Sequence, residues 1–215
     1  MCSVSTYSAE RPMLLWYVSY GSNLSAARFG CYLYGGRPTG ARRTYPGCRD
    51  RSAPRRTEPA WLPGGVYFAT ESPTWTGGVA FLDATIADAV AARRYLVTPG
   101  QFADVVAQEM RRPPQADLDL TELLDTGRQR LGGGRYETLV RVGEHAGFPM
   151  VTFTAPWSLS DVDTRAPSAA YLRMIGLGLM ETHGWDPLRT ADYLCARPGA
   201  AGHWSVDEVS SLLSS

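Results

Sequence analysis

The feature that most constrains this chain is the point where the apolar run Leu14–Val18 gives way to the five residues Tyr20–Leu24, Tyr-Gly-Ser-Asn-Leu. The run predicts a buried strand. Gly21 allows backbone angles that other residues resist, while Ser22 and Asn23 favour turns and helix starts, so we expect a sharp turn into a short helix. Such an elbow aims several backbone N–H groups at one spot, which suits an anion or a polarised carbonyl oxygen. An ordinary capped turn is the alternative.

Composition narrows the class of protein. The 215 residues, 44% hydrophobic and 20% charged, predict one globular domain with a full core. The formal net charge is zero, so we expect no nucleic-acid partner and no membrane partner. All 21 basic residues are arginine, which excludes a catalytic lysine or Schiff base. The polar start and the short apolar stretch after it predict a cytoplasmic protein without a signal or membrane segment.

The cysteines and histidines do not form a metal pattern. The four cysteines are far apart and include no CxxC pair, and the three histidines are spread over the second half of the chain. Unpaired cysteines of this kind fit a reducing cytoplasm. We therefore expect no metal and no cofactor.

Short alternating or apolar segments predict a series of strands, followed by helices. The predicted strands are 14–20, Val66 to Ala69, Gly78 to Leu82, Arg94 to Val97, Tyr136 to Val142 and Phe148 to Thr154.

Helix starts are marked by capping residues. Thr98 before Pro99 and Gln101 predicts one helix, and Ser168 predicts another that runs to Thr182 before Gly184. Two further helices are predicted to begin at Asp186-Pro187 and at Ser205 with Glu208. Strands first and helices last predict an α+β fold: a small mixed, partly closed β-barrel or sheet with flanking helices. The predicted organisation is a flexible tail (1–12), one domain (13–184) and a C-terminal helical extension (185–215).

Two segments read as irregular. Residues 35–63 are rich in Gly, Pro and Arg, with six arginines from Arg42 to Arg56, and form either a solvated loop or a docking site for a phosphate or an acidic partner. Residues 115–134 are polar, end in three glycines and predict a mobile excursion.

Glu109 is the candidate acid and base. Phe102, Val105, Val106 and Glu109 follow helical spacing, so the carboxylate projects from the face that should be buried. A carboxylate that loses hydration can take up and return protons near neutral pH. The alternative is a helix-end glutamate that pairs with Arg111 or Arg112.

Two tyrosines and a glycine pair are further candidates. Tyr136 follows three glycines, and Tyr171 stands in the first turn of the helix after Ser168. Each can offer a hydroxyl to a pocket or pack at the edge of the core. Gly77 and Gly78 permit a close backbone approach, which we interpret as structural.

In order, these pieces resemble the γ-glutamylcyclotransferase family, whose members share a Tyr-Gly-Ser-Asn-Leu loop after the first strand. Four further blocks are similar, between about Tyr17 and Gly184. They are Thr74 to Ala80, the strand and helix from Tyr95 to Glu109, Gly134 to Tyr136, and Pro167 to Tyr171 with Ile175 and Gly178. The chain departs from the family pattern at Met110, where the family usually has Gly, and in its longer segments after the elbow and after Glu109.

The resemblance implies an enzyme that cleaves a γ-glutamyl amide by attack of the substrate's own α-amine, releasing 5-oxoproline and a free amine, without a cofactor. It implies that Glu109 is catalytic and that the small-molecule γ-glutamyl substrate is bound by Tyr20, Gly21, Ser22, Asn23, Leu24, Tyr136 and Tyr171. The alternatives are a tailoring enzyme that acts on a different amide of a secondary metabolite, and a non-catalytic module that retains the pocket.

Overall fold

The apolar run before the elbow forms a central strand of a six-stranded sheet. The computed structural model describes residues 13–38, 43–72 and 74–214, so the predicted tail at 1–12 and Arg42 lie outside the described residues. The strands are β1 Leu15–Ser19, β2 Arg56–Pro63, β3 Gly65–Ala69, β4 Val79–Asp83, β5 Ala89–Val97, β6 Arg128–Arg130, β7 Thr138–His145 and β8 Phe148–Thr154.

The large sheet has the strand order β2-β5-β1-β8-β7-β6. Strands β1 and β8 are parallel and all the other neighbours are antiparallel, so the sheet is mixed as predicted. Its two edges, β2 and β6, do not pair with each other. The predicted α+β class is confirmed, whereas the predicted partial closure is wrong because the sheet stays open.

Strand β2 was missed by the sequence analysis, which placed it in an irregular segment. It pairs with β5 along its whole length, from Arg56 opposite Leu96 to Pro63 opposite Ala89. Pro59 and Pro63 interrupt the strand pattern, but an edge strand tolerates proline because one side of its backbone needs no partner. Strand β5 also begins earlier than predicted, at Ala89.

Strands β3 and β4 form a separate two-stranded sheet that is tied to the large one through a side chain. The Thr154 hydroxyl accepts a hydrogen bond from the Leu82 N–H (3.0 Å) and donates one to the Leu82 carbonyl (2.8 Å). Strand β4 is thereby held beside the end of β8 without a backbone ladder between them.

The large sheet is covered on both faces, which explains why β1 is buried at every position. Alternate residues of a strand point to opposite faces. Trp16 and Val18 belong to one hydrophobic cluster, and Leu15 and Tyr17 belong to another.

Among the described residues, six α-helices form these layers: α1 Ala26–Tyr34, α2 Pro99–Glu109, α3 Thr121–Thr126, α4 Ala169–His183, α5 Pro187–Cys195 and α6 Val206–Ser214. Helices α1 to α3 contribute to the cluster of Tyr17, and α4 to α6 contribute to the cluster of Trp16. The predicted capping box of α2 is present, with reciprocal hydrogen bonds between Thr98 and Gln101. Within residues 13–38, 43–72 and 74–214, the chain has no helix with the length and hydrophobicity needed to span a membrane.

The segment 115–134 is part of the fold, contrary to the predicted excursion. It contains α3 and β6, and β6 extends the sheet by pairing with β7. Leu120 and Leu123 are buried in the cluster of Tyr17. Leu118, Leu124 and Leu131 are partly buried and pack against the same cluster, so this segment is anchored to the core by isolated leucines among polar residues.

Candidate active site

A cleft opens at the end of β1, where the chain leaves the sheet for the elbow. It encloses about 750 Å³ of space not occupied by protein atoms, including the part that is open to solvent. Six of the seven predicted substrate-binding residues line it, together with the predicted catalytic residue: Tyr20, Gly21, Ser22, Asn23, Tyr136, Tyr171 and Glu109. The structure thus brings together residues from four distant parts of the chain.

The seventh, Leu24, does not line the cleft. Its side chain is fully buried in the core, and its N–H is already bonded to the Gly21 carbonyl at 3.0 Å. The N–H of Leu24 is therefore used inside the elbow, so the structure does not support the predicted role of Leu24 as a backbone donor to substrate. Among the described residues, the N–H groups of Ser22 and Asn23 have no hydrogen-bond acceptor, so these two remain as donors at the elbow.

The backbone at Gly21 has φ −115° and ψ −144°, a combination outside the usual helical and extended regions, and Ser22–Leu24 form a single 3-10 turn before α1. Gly21 also lies over the cleft. A Cβ added there would lie 3.4 Å from the Tyr171 hydroxyl.

Hydrogen bonds from neighbouring strands hold the elbow in place. Tyr95 of β5 donates to the Asn23 carbonyl (2.8 Å), and Arg93 donates to the Leu24 carbonyl (2.7 Å). The Asn23 amide donates to the Tyr17 hydroxyl of β1 (3.1 Å). These bonds fix both the backbone of the elbow and the side chain of Asn23.

Helix α4 supports the elbow from behind through a glycine. A Cβ at Gly178 would lie 2.5 Å from the Ser25 nitrogen and 2.6 Å from the Leu24 carbonyl carbon. Only a residue without a side chain lets the helix approach the backbone this closely.

Glu109 reaches the elbow from the last turn of α2. Its Oε1 accepts a hydrogen bond of 2.6 Å from the Tyr32 hydroxyl of α1, and lies 3.4 Å from the Asn23 amide nitrogen. The carboxylate is partly buried and does not pair with either neighbouring arginine, since Arg112 pairs with Glu137 instead. The alternative of a helix-end salt bridge is therefore not what the structure shows.

Arg28 lies behind this carboxylate, between two tyrosine rings. Its guanidinium carbon is 4.6 Å from the Tyr32 ring centre and 4.5 Å from that of Tyr45, and its Nη2 donates to both hydroxyls, at 3.1 and 2.7 Å. The side chain is almost fully buried and has no carboxylate partner among the described residues. The Tyr32 hydroxyl thus links the buried positive charge of Arg28 to the Glu109 carboxylate.

Tyr136 and Tyr171 both form hydrogen bonds with the backbone of Ala80 in β4. The Tyr136 hydroxyl donates to the Ala80 carbonyl (3.1 Å), and the Tyr171 hydroxyl accepts from the Ala80 N–H (3.2 Å). Tyr136 therefore keeps lone pairs for a ligand, and Tyr171 keeps its proton. Burial raises the pKa of Tyr136 well above its usual value and that of Tyr171 to about 12, so both are neutral at physiological pH.

The arginine-rich segment does not act as one unit. Arg49 pairs with the buried Asp104 of α2 at 2.9 Å, Arg56 pairs with Glu58 inside β2, and Arg43 lines the cleft.

Gly78, as interpreted, permits a close backbone contact, since a Cβ there would lie 2.0 Å from the Arg165 carbonyl oxygen. Within the described ranges, no group of three His, Cys, Asp or Glu side chains is placed to hold a metal ion.

Solved structures with the same arrangement of elements were found. One is named gamma-glutamyl cyclotransferase; it superposes with a TM-score of 0.50 at 15% identity over 94% of this chain and 98% of the other. The chain has the γ-glutamyl cyclotransferase fold. A crystal structure of an uncharacterized human protein matches this fold equally well, with a TM-score of 0.51 at 15% identity over 94% of this chain and 99% of the other.

A curated plant protein is similar in sequence. It is named "Histone deacetylase 5", from Arabidopsis thaliana, and is 31% identical over an alignment of 185 residues that covers 78% of this chain. This chain spans only 28% of the length of that protein. No protein-family model matches the chain.

Several residues of the cleft were not predicted from the sequence. Arg28, Arg111 and Arg135 line the cleft, although none of them was singled out as a site residue, and Arg135 lies inside a motif block. Tyr32 does not line the cleft but contacts Glu109, which does. Arg93 holds the elbow without lining the cleft, and an arginine among buried residues of β5 indicates an internal partner of this kind.

Proposed function

We propose that this chain cleaves a γ-glutamyl amide by intramolecular attack of the substrate's α-amine, releasing 5-oxoproline and a free amine. One observation carries the proposal: the Glu109 carboxylate shares a cleft with the elbow, within 3.4 Å of Asn23, although 86 positions separate them in sequence. The fold and the motif resemblance point to the same chemistry.

Glu109 is the proton carrier in this reaction. The bond from the α-nitrogen to the γ-carbonyl carbon forms, and the bond from that carbon to the leaving nitrogen breaks. The α-ammonium loses two protons as it becomes the lactam N–H, and the leaving nitrogen gains two as it departs as an ammonium. A carboxylate that takes each proton and returns it completes this balance and is worth roughly 10²–10⁴-fold in rate.

The elbow stabilises the charge that develops on the carbonyl oxygen. The free N–H groups of Ser22 and Asn23 are suited to an oxyanion, since fixed donors gain strength where water is excluded. The Tyr136 lone pairs can accept from the substrate ammonium, and the Tyr171 proton can be donated to a carboxylate. These two hydroxyls would orient the glutamyl group without taking part in proton transfer.

The test is 5-oxoproline release from a panel of γ-glutamyl amino acids and γ-glutamyl amines. Glu109→Gln is expected to bind substrate and to lose at least about 10² in kcat, while Glu122→Gln, on the distant α3, serves as the matched control. Turnover by Glu109→Gln within a few fold of the wild type would refute the proposed role. Substrate binding by a wild-type protein that releases no 5-oxoproline from any substrate would favour the non-catalytic module.

A further inference from the structure

The charges around the cleft are strongly unbalanced. Four arginines line it, and Glu109 is the single acidic residue among the described residues that do so. Arg28 is buried behind Glu109, whereas Arg43, Arg111 and Arg135 are more exposed. The chain as a whole is neutral, so this excess of positive charge is a local property of the cleft.

None of the three more exposed arginines is neutralised by an acidic residue of the described chain. Arg43 lies over the Tyr45 ring at 4.8 Å. Arg135 donates to two uncharged acceptors, the Thr70 hydroxyl (3.2 Å) and the Glu71 carbonyl (2.9 Å). Arg111 forms no ion pair within the described ranges. Many arginines elsewhere in the chain, such as Arg49 and Arg94, do pair with carboxylates.

Arg111 also occupies a strained backbone position. Its φ is +59°, just after the end of α2, and the Arg112 N–H bonds back to the Ala107 carbonyl at 2.8 Å. Glycine is the usual residue at such a helix end. An arginine that keeps this conformation, two residues after Glu109 and lining the cleft, suggests that its side chain has a function there.

We propose that Arg43, Arg111 and Arg135 select substrates whose leaving amine carries at least two acidic groups. The inference rests on the proposed function. The γ-glutamyl half of the substrate is held by the elbow and the tyrosines, so the remaining cations are available to the leaving amine. Three uncompensated guanidinium groups suit a dianion, since each can donate two parallel hydrogen bonds to an oxyanion.

The experiment compares three substrates that differ only in the leaving amine. They are γ-glutamyl-glutamate, with two carboxylates on the leaving amine, γ-glutamyl-glutamine, with one, and γ-glutamyl-butylamine, with none. We expect kcat/KM for 5-oxoproline release to fall about tenfold with each carboxylate removed. The preference should shrink in 1 M salt, where screening acts over about 3 Å.

Arg111→Gly is the sharpest variant. It relieves the strained φ, so Tm should rise by about 2–4 °C, while kcat/KM for γ-glutamyl-glutamate falls about tenfold and that for γ-glutamyl-butylamine is unchanged. Arg135→Gln should show the same selective loss. The matched control is Arg128→Gln, an exposed arginine on β6 that does not line the cleft.

The outcomes separate this inference from the proposed function. Equal kcat/KM for all three substrates, or unchanged preference in both variants, would overturn the inference and leave the reaction in place. If no substrate releases 5-oxoproline, the proposed function fails and this inference fails with it.

Discussion

The Tyr32 hydroxyl donates a hydrogen bond of 2.6 Å to Oε1 of Glu109, and this bond joins α1 to the end of α2. The same oxygen lies 3.4 Å from the Asn23 amide. Oε2 has no hydrogen-bond partner among the described residues, which leaves it for a ligand. The hydrogen bond to Oε1 thus orients the carboxylate, and Oε2 stays available to exchange protons with a substrate.

Tyr32→Phe should therefore slow the reaction without abolishing binding. The ring and its packing remain, and two hydrogen bonds are lost: the one that the hydroxyl donates to Glu109 and the one that it accepts from Arg28. We therefore expect kcat to fall about tenfold or more. Burial raises the pKa of Tyr32 well above its usual value, with the Glu109 charge adding to it, so the hydroxyl is a donor at all working pH values. Steady-state kinetics on a γ-glutamyl amide measure the effect.

The matched control is Tyr34→Phe in the same helix. Tyr34 is 48% exposed, so the loss of its hydroxyl should leave kcat and Tm unchanged. A Tyr32→Phe enzyme as fast as the Tyr34→Phe enzyme would show that Tyr32 does not position Glu109.

Gly178→Ala should damage the elbow from outside the cleft. The added methyl group would enter the backbone of Leu24 and Ser25, which cannot rotate away, so overpacking should cost about 1–3 kcal/mol. A shift of the elbow by about 1 Å should lower kcat/KM by roughly 10². Urea unfolding and kinetics check the two effects separately.

Gly176→Ala on the same helix provides the comparison. Its added methyl group meets the Leu213 side chain, not the elbow, so stability should fall while kcat/KM is retained. Equal loss of kcat/KM in both variants would mean that α4 does not set the position of the elbow.

Local signals predicted the elements well. The capping box at Thr98, the caps at Ser168 and Asp186 and the left-handed Gly184 each mark a helix end that the structure contains. These features are encoded by neighbours within four residues, so a single sequence is enough to recognise them.

Features that depend on long-range packing could not be predicted. Strand β2 could not be predicted because it contains Pro59, and a strand tolerates proline only at the edge of a sheet, a position that the sequence does not reveal. The Tyr32 contact with Glu109 spans 77 positions and follows from how α1 meets α2. At the elbow, the sequence indicated a functional loop, but not that Leu24 N–H would be used internally.

Protonation of His183 should lower the free energy of unfolding as pH falls from about 6.5 to the pKa that His183 has in the folded protein. Burial lowers its pKa below the usual 6.5, and the positive charges of Arg189 and Arg93 add to this. The unfolded chain then binds the proton first as pH falls, so the contribution is intact above pH 6.5 and is lost as pH falls through the folded pKa. Carboxylates whose pKa is lowered, such as that of Asp83, change the stability only below about pH 4, so they do not contribute in this pH range.

Thermal unfolding at pH 7.5 and 5.5 measures this effect. His183→Gln should lose less stability than the wild type over this interval, whatever its stability at pH 7.5. A pH dependence identical to that of the wild type would assign the acid sensitivity to another group.

Arg28→Lys should lower activity although it retains the positive charge. The guanidinium donates to the hydroxyls of Tyr32 and Tyr45 and lies against both rings. An ammonium is a compact point charge without this planar fork, so it cannot reproduce the arrangement. With Tyr32 no longer oriented, kcat should fall about tenfold.

Because Arg28 acts through Tyr32, adding Arg28→Lys to Tyr32→Phe should cause little further loss of kcat. Additive losses in the double variant would show that Arg28 acts on the reaction by a separate route.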